Sequence, residues 1–411
     1  MNLEFFIAKR LISGKQDKSN ISASIIKIAI LAIALGLVMM MIAIATSAGL
    51  QNKIREKVSA FNGHIQISNY DNNTSEVSIN PISIHQDFYP NFNSVEGIKH
   101  VQAVASKGGI IRTEETFEGI IAKGVGKDYN WEYFKEYLVD GTLPDYSNKR
   151  NEEVLISEYL ANRLQLKVDD EFFAFFLKED VTAIPNQIKF KISGIYNSGY
   201  QEFDATYILV DIRHIQRMNK WKDDEVGSFE VFLDDFRKIK EKGNEVYGKT
   251  LSTLDSKTIS DKYYVVFEWL KLFDFNTAII IGIMIIVGGI NMITALLVLI
   301  LERTPMIGIL KTLGCSNWSI RKVFLYNATY LIGVGLFWGN VVGLGFLLLQ
   351  QHFGFIKLDP ATYYVTEAPV HINYIHMITL NIGVLLLCLL MLLLPSYIIT
   401  KISPAKSINF E

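Results

Sequence analysis

Glu302-Arg303-Thr304-Pro305-Met306-Ile307-Gly308-Ile309-Leu310-Lys311-Thr312-Leu313-Gly314-Cys315 lies between two long apolar runs. Its own grammar is that of one small helix. Thr304 can cap the first free N–H groups, Pro305 suits the first turn, and Gly314 is a natural stop. Met306, Ile309, Leu310 and Leu313 recur at i, i+3, i+4 and i+7, which predicts one apolar face. Nine helical residues span roughly 13 Å. Such a helix is too short to fold alone or to cross a bilayer. Two readings are open: a turn lying in lipid headgroups, or a docking helix that carries force from a soluble partner into a membrane.

The flanks make the membrane reading necessary. Half of the 411 residues are hydrophobic, and uncharged runs occur at 28–50, 275–301, 323–350 and 378–400. Each is long enough to span a hydrocarbon core of ~30 Å. The predicted fold class is therefore an α-helical membrane protein with four transmembrane helices, at 28–50, 273–301, 323–350 and 378–400. A large α+β domain, 51–272, is inserted between the first and second. The first run is too long for a cleaved leader and reads as a retained anchor. Residues 1–27, with Leu3, Phe5, Phe6 and Ile7 among basic side chains, predict an amphipathic segment at the membrane surface. Lys and Arg crowd 1–27, the 302–322 segment and the tail 401–411, whereas the 351–377 loop holds only Lys357. Both termini and the short helix are then expected on the cytoplasmic side, and 51–272 outside.

The outer segment carries 28 Lys+Arg against 35 Asp+Glu, so its field would not attract nucleic acid. It has no cysteine; Cys315 and Cys388 lie elsewhere, and no disulfide is expected. Period-two patterns predict strands at 61–68, 109–112, 117–123, 151–156, 171–176, 190–196 and 207–210. Helices are expected at 131–137, 158–164 and 234–242. Ser157 is the expected cap of the second.

Site chemistry is mostly excluded. The seven histidines show no metal-ligand spacing, and no nucleophile elbow appears. No metal, cofactor or catalytic residue is expected in this chain. Gly243-Asn244-Glu245-Val246-Tyr247-Gly248-Lys249-Thr250 matches the phosphate-loop expression, but that loop must leave a buried strand and open a helix. Here a charged helix precedes it, which argues against nucleotide binding. In the third span Gly335, Gly339 and Gly343 form a small-residue ridge for close helix packing, within one chain or between copies. Asn291 and Asn340 must face protein, because an unbonded amide in lipid is costly. Met40 and Met41 belong to a methionine run that either faces lipid or lines an acyl-chain site.

Glu302-Arg303-Thr304 followed by Ile307-Gly308-Ile309-Leu310-Lys311-Thr312-Leu313-Gly314 resembles the coupling segment of the MacB/FtsX/Lol superfamily of ABC-transporter permeases. That family usually places a glutamate before the Ile-Gly pair; this chain has Met306. The runs Glu153-Val154-Leu155-Ile156-Ser157 and Ala161-Asn162-Arg163-Leu164 are similar to the family's external domain. Asp359-Pro360-Ala361-Thr362-Tyr363-Tyr364-Val365 with Pro369-Val370 is similar to the lipoprotein-releasing branch.

The resemblance implies a permease subunit, itself no enzyme, in a bacterial inner membrane. It implies a dimer of separate ATPase subunits that binds ATP and magnesium, and a second permease subunit, identical or different. The implied coupling residues are Glu302, Arg303, Met306, Ile307, Ile309, Leu310, Lys311, Leu313 and Gly314. Lipoprotein is the implied cargo, in a cavity formed by Met40, Met41, Ile44, Phe273 and Phe275. A periplasmic carrier is implied at the hairpin that holds Lys178, Glu179, Asp180, Ile184 and Pro185. The external domain is expected as two lobes, one inserted in the other. Within the same superfamily, the alternatives are a drug or peptide exporter and a signalling scaffold that activates an external hydrolase.

Overall fold

The computed structural model describes residues 3–13, 20–72, 75–113, 116–178 and 184–402. The chain forms two compact units. One comprises Met1–Gln51, Trp269–Lys357 and Glu367–Glu411; the other comprises Asn52–Glu268 and Leu358–Thr366.

The first unit is helical: α1 (Leu3–Ser13), α2 (Asn20–Asn62, of which the part to Gln51 belongs here), α3 (Tyr264–Glu302), α4 (Thr304–Thr312), α5 (Asn317–Phe353), α6 (Tyr374–Ser396) and α7 (Ile398–Lys401). Helices α2, α3, α5 and α6 are long and apolar enough to cross a membrane. Their shared core includes Leu37 and Met41, Met292 and Ile300, Phe324 and Ile332, and Leu392, all at most 1% exposed. The glycine ridge of α5 lies against α2 within this chain. A Cβ on Gly335 would stand 2.9 Å from Ile33 Cβ, and one on Gly339 3.0 Å from the Ala34 carbonyl. Asn340 pairs with Asn381 of α6, each amide donating to the other's oxygen at 2.7 and 3.0 Å. Each also donates to the carbonyl four residues back, so both amides are bonded inside hydrocarbon. Gln350 fixes the turn after α5, accepting from the Ile356 N–H and donating to the Ala368 carbonyl, both at 3.0 Å.

The second unit is built on one mixed sheet. Its strands are β1 (Ile65–Asn69), β2 (Ile98–Arg112), β3 (Phe117–Val125), β4 (Leu138–Gly141), β5 (Glu153–Ser157), β6 (Glu171–Phe176), β7 (Asn186–Tyr196), β8 (Tyr207–Asp211), β9 (Ser228–Leu233) and β10 (Leu254–Thr258). The order is β10-β1-β9-β2-β3-β8-β5-β7-β4, with β6 bridging β2 and β7. Pairs β3–β8 and β5–β7 are parallel; most others are antiparallel. One continuous sheet thus runs through the outer unit. Ser157 caps the helix Glu158–Leu164, its hydroxyl accepting from the Leu160 N–H at 3.1 Å.

Local readings needed correction where burial overrode the pattern. Phe61 and Asn62 end α2 rather than start a strand, because Phe61 sits in an aromatic core with Phe134, Tyr137, Tyr196 and Phe203. Residues 131–137 form two 3-10 turns instead of one helix. The charged helix does not stop at Gly243; it runs Ile239–Lys249, with Gly243 buried against Thr258. The backbone amides of the phosphate-loop look-alike are thus spent in a helix ladder, which removes any anion cradle.

Candidate functional site

Three places carry the residues singled out from the sequence. The segment expected to couple is α4 and its ends. Its stop has the expected form: Gly314 has φ +87°, its N–H bonds the Lys311 carbonyl, and Cys315 N–H bonds the Leu310 carbonyl. Its start differs. Thr304 does not cap α4; its hydroxyl donates back to Leu301 O at 2.7 Å and Ile300 O at 3.2 Å, closing the end of α3.

The expected apolar face is also rotated. Ile307 and Gly308 are buried in the helical core, Met306 and Leu310 lie at its edge, and Ile309 and Leu313 point out at 53% and 75% exposure. Glu302 and Gly314 are exposed and Arg303 is half-buried. Lys311 turns inward, its ammonium donating to the carbonyls of Ile399 (2.7 Å), Ile402 (2.8 Å) and Thr400 (3.3 Å). Lys311 and Ile307 therefore tie α4 to the rest of the helical unit. The exposed surface of α4 holds Pro305, Ile309 and Thr312, flanked by Glu302 and Leu313. Counting apolar spacing could not reveal this, because a nine-residue helix with six apolar or small positions has two candidate stripes.

The expected cavity residues do not form one surface. Met40 and Met41 are 2% and 0% exposed, inside the helical core, with Met41 sulfur against Gly343. They cannot line an open cavity in this arrangement. Ile44 and Phe273 are half-buried, and Phe275 is exposed. The outward face of α2 carries Ile28, Leu31, Leu35 and Met39 instead. Near the outer end of α2, Gln51 donates to Asp274 at 2.7 Å, which holds α2 to α3.

The hairpin expected to meet a carrier joins β6 and β7. Glu179 and Asp180 lie outside the described residues; Lys178 and Pro185 are exposed, and Ile184 is 84% exposed. Ile110, Phe117 and Phe173 are exposed beside it, on the same face by strand register. Sequence reasoning missed them. The signal was present in Glu171-Phe172-Phe173-Ala174-Phe175-Phe176, where aromatic rings occupy both faces of one strand.

The outer unit also holds a row of polar side chains across the sheet, which no sequence pattern announced. Lys257, Gln66, Glu230, Gln102 and Lys123 stand on neighbouring strands. Lys123 bonds Glu230 at 2.5 Å and the Phe61 carbonyl, and Gln102 donates to Glu230 at 2.8 Å. A cleft of ≈ 340 Å³ opens over this row. Among the described residues no group of three His, Cys, Asp or Glu is placed to hold a metal.

With this geometry in place, comparison with known proteins is informative. A MacB-like periplasmic core domain matches residues 28–245, more than half of the chain, and an FtsX-like permease C-terminal domain matches residues 278–404. The chain belongs to this permease family. The permease is 20% identical to the lipoprotein-releasing system transmembrane protein LolC of Xylella fastidiosa, over 93% of both chains. It is 23% identical to LolC of Buchnera aphidicola over 95% of both, and 21% identical to LolE of Haemophilus influenzae over the full length of both. The periplasmic region of MacB from Actinobacillus actinomycetemcomitans aligns over 50% of the permease and 92% of that chain, at 14% identity and a TM-score of 0.32. The permease is thus an ABC-transporter permease, a multi-pass membrane protein with a MacB-type outer domain.

Proposed function

We propose that this permease is the membrane subunit of a transporter that extracts lipoproteins from the outer leaflet of the bacterial inner membrane. It passes them to a periplasmic carrier at the β6–β7 hairpin. Both termini face the cytoplasm. A pair of separate ATPase subunits drives the cycle, acting on a pair of permease subunits through Ile309 and Leu313 of α4. The observation that carries this reading is the similarity to lipoprotein-releasing transmembrane proteins along essentially the whole chain. The chemistry agrees with a driven process. Each acyl CH₂ moved from lipid to water costs ~0.8 kcal/mol, so unaided release of a multiply acylated protein is out of reach.

Residue roles follow the geometry. Ile307 and Lys311 tie α4 to the helical core and to the end of the last span, so a push on the outward face of α4 moves packed helices rather than a loose loop. The test is reconstituted transfer of a labelled lipoprotein from proteoliposomes to a soluble acceptor, with the ATPase and ATP present. Transfer that needs ATP, and that Leu313→Asp abolishes, is the expected result. Absence of transfer alongside ATP-dependent export of a drug or peptide would replace this reading with an exporter. Absence of both, with activation of an external hydrolase, would replace it with a signalling scaffold.

A further inference from the structure

A groove of ≈ 320 Å³ runs between α5 and α6. Leu325, Tyr326 and Thr329 form one wall and Leu386, Leu390 and Leu393 the other, with Lys322 at one end. Each wall repeats at helical spacing over about two turns, or ~10 Å. The Thr329 hydroxyl is already spent on the Leu325 carbonyl at 2.8 Å. The groove therefore offers hydrocarbon along its length and polar groups only toward Lys322. Both walls belong to membrane-spanning helices, so its natural filler is an acyl chain. Left empty, the lining would forfeit dispersion contacts.

The Lys322 end has the character of a headgroup level. Trp318 and Tyr326 lie there, the residue types that favour the membrane interface. The Arg321 guanidinium sits 5.1 Å over the Trp318 ring and donates to Ser396 Oγ and the Leu393 carbonyl, both at 3.1 Å. Helix α1 lies at the same level, with the Phe5 ring edge-on to Tyr326 at 6.1 Å. It exposes Leu3, Phe5 and Phe6, and it carries Lys9 and Arg10. Among the described residues one carboxylate opposes these cations: Glu4 accepts from the Ser319 hydroxyl at 3.1 Å and lies 3.8 Å from Lys322. Among the described residues, Arg10, Arg321 and Lys322 outnumber that carboxylate and leave this end positive.

We propose that the groove binds one anionic phospholipid, with an acyl chain between α5 and α6 and the phosphate-bearing headgroup at Lys322 and Arg321. A lipid seated there would brace α1, whose Leu3 and Ile7 line a small gap together with Leu310 and Cys315 at the end of the coupling segment. The inference is independent of the cargo.

Native mass spectrometry of the full-length permease in detergent tests it, with phosphatidylglycerol and phosphatidylcholine of identical acyl chains as probes. The expected result is stronger retention of phosphatidylglycerol, by roughly fivefold for each basic residue engaged. Lys322→Gln should narrow that preference while leaving phosphatidylcholine unchanged. Leu386→Trp, which fills the groove, should release both lipids; Leu390→Trp serves the same end if the first variant does not fold. Equal retention of the two lipids by the unaltered chain would overturn the proposal. So would undiminished phosphatidylglycerol on both tryptophan variants. A lipid-free permease that dimerises through this face, and becomes monomeric on either tryptophan change, would assign the groove to a second copy instead.

Discussion

The ammonium of Lys311 lies 2.7 Å from the carbonyl oxygen of Ile399, so α4 and the end of the last span share one fastening. The same ammonium also serves Thr400 and Ile402, where a helix ends and carbonyls lack intrahelical donors. Lys311→Met keeps the aliphatic stem and removes the donor. The permease should fold and bind its ATPase, while ATP hydrolysis no longer drives transfer. Paired assays of hydrolysis and lipoprotein transfer check this, and unchanged coupling would show the fastening to be incidental.

The outward face of α4 should behave differently. Ile309→Asp and Leu313→Asp alter exposed positions, so thermal stability in detergent should stay within ~0.5 kcal/mol of the parent, as for ordinary surface changes. Loss of co-purifying ATPase is the expected effect. Ile307→Asp buries an unpaired carboxylate and should instead abolish folding.

The Lys123–Glu230 pair is buried on the sheet face, and Gln102 completes it. Lys123→Met or Glu230→Leu alone leaves a buried group without its partner and should cost ~3–5 kcal/mol. The double variant Lys123→Met/Glu230→Leu should recover much of that loss. Chemical denaturation in a double-mutant cycle measures the coupling; additive losses would contradict it.

His64 gives the outer unit a pH dependence. Its Nδ1 accepts the Leu233 N–H at 2.7 Å, and burial, assisted by the Lys99 charge, lowers the imidazole to about 4. An unfolded histidine titrates near ~6.5, so the unfolded chain binds the proton first as pH falls. Stability is fully present above that value and is lost as pH drops from ~6.5 toward 4, by ~3 kcal/mol in all. His64→Asn, whose Oδ1 can take the same N–H, should flatten this slope. Denaturation midpoints of the outer unit at pH 7 and pH 4.5 decide it.

Gly339 should resist enlargement. A Cβ there already meets the Ala34 carbonyl and Leu37 at 3.0 Å, so Gly339→Leu would force α5 away from α2. A drop in melting temperature of the purified permease is expected, whereas Gly345→Leu, at an open position on the same helix, should be tolerated.

Much of this architecture was legible because the signals were long. Four apolar runs declared four spans, and Gly335, Gly339 and Gly343 declared a packing ridge whose partner, α2, only the fold supplied. Ser157 declared a cap through a short and specific grammar. Short segments failed where tertiary burial decided between two patterns. Phe61 alternates like a strand residue yet closes an aromatic core at a helix end, and Met40 and Met41 resemble an open acyl site yet fill the interior. The polar row through Lys123 and Glu230 had no signal, because its members come from strands far apart in the chain.

The segment Leu358–Thr366 belongs with the outer unit, although 89 residues separate it from the rest of that body. The Tyr364 ring lies tilted against that of Tyr200, with centroids 5.0 Å apart, its carbonyl accepts the Lys57 ammonium at 2.9 Å, and Val365 is buried. During biosynthesis, then, the outer body waits for two more spans to leave the ribosome before its final piece arrives. A chain truncated after the second span would carry every strand of the sheet and still present an unfilled seat to quality-control proteases.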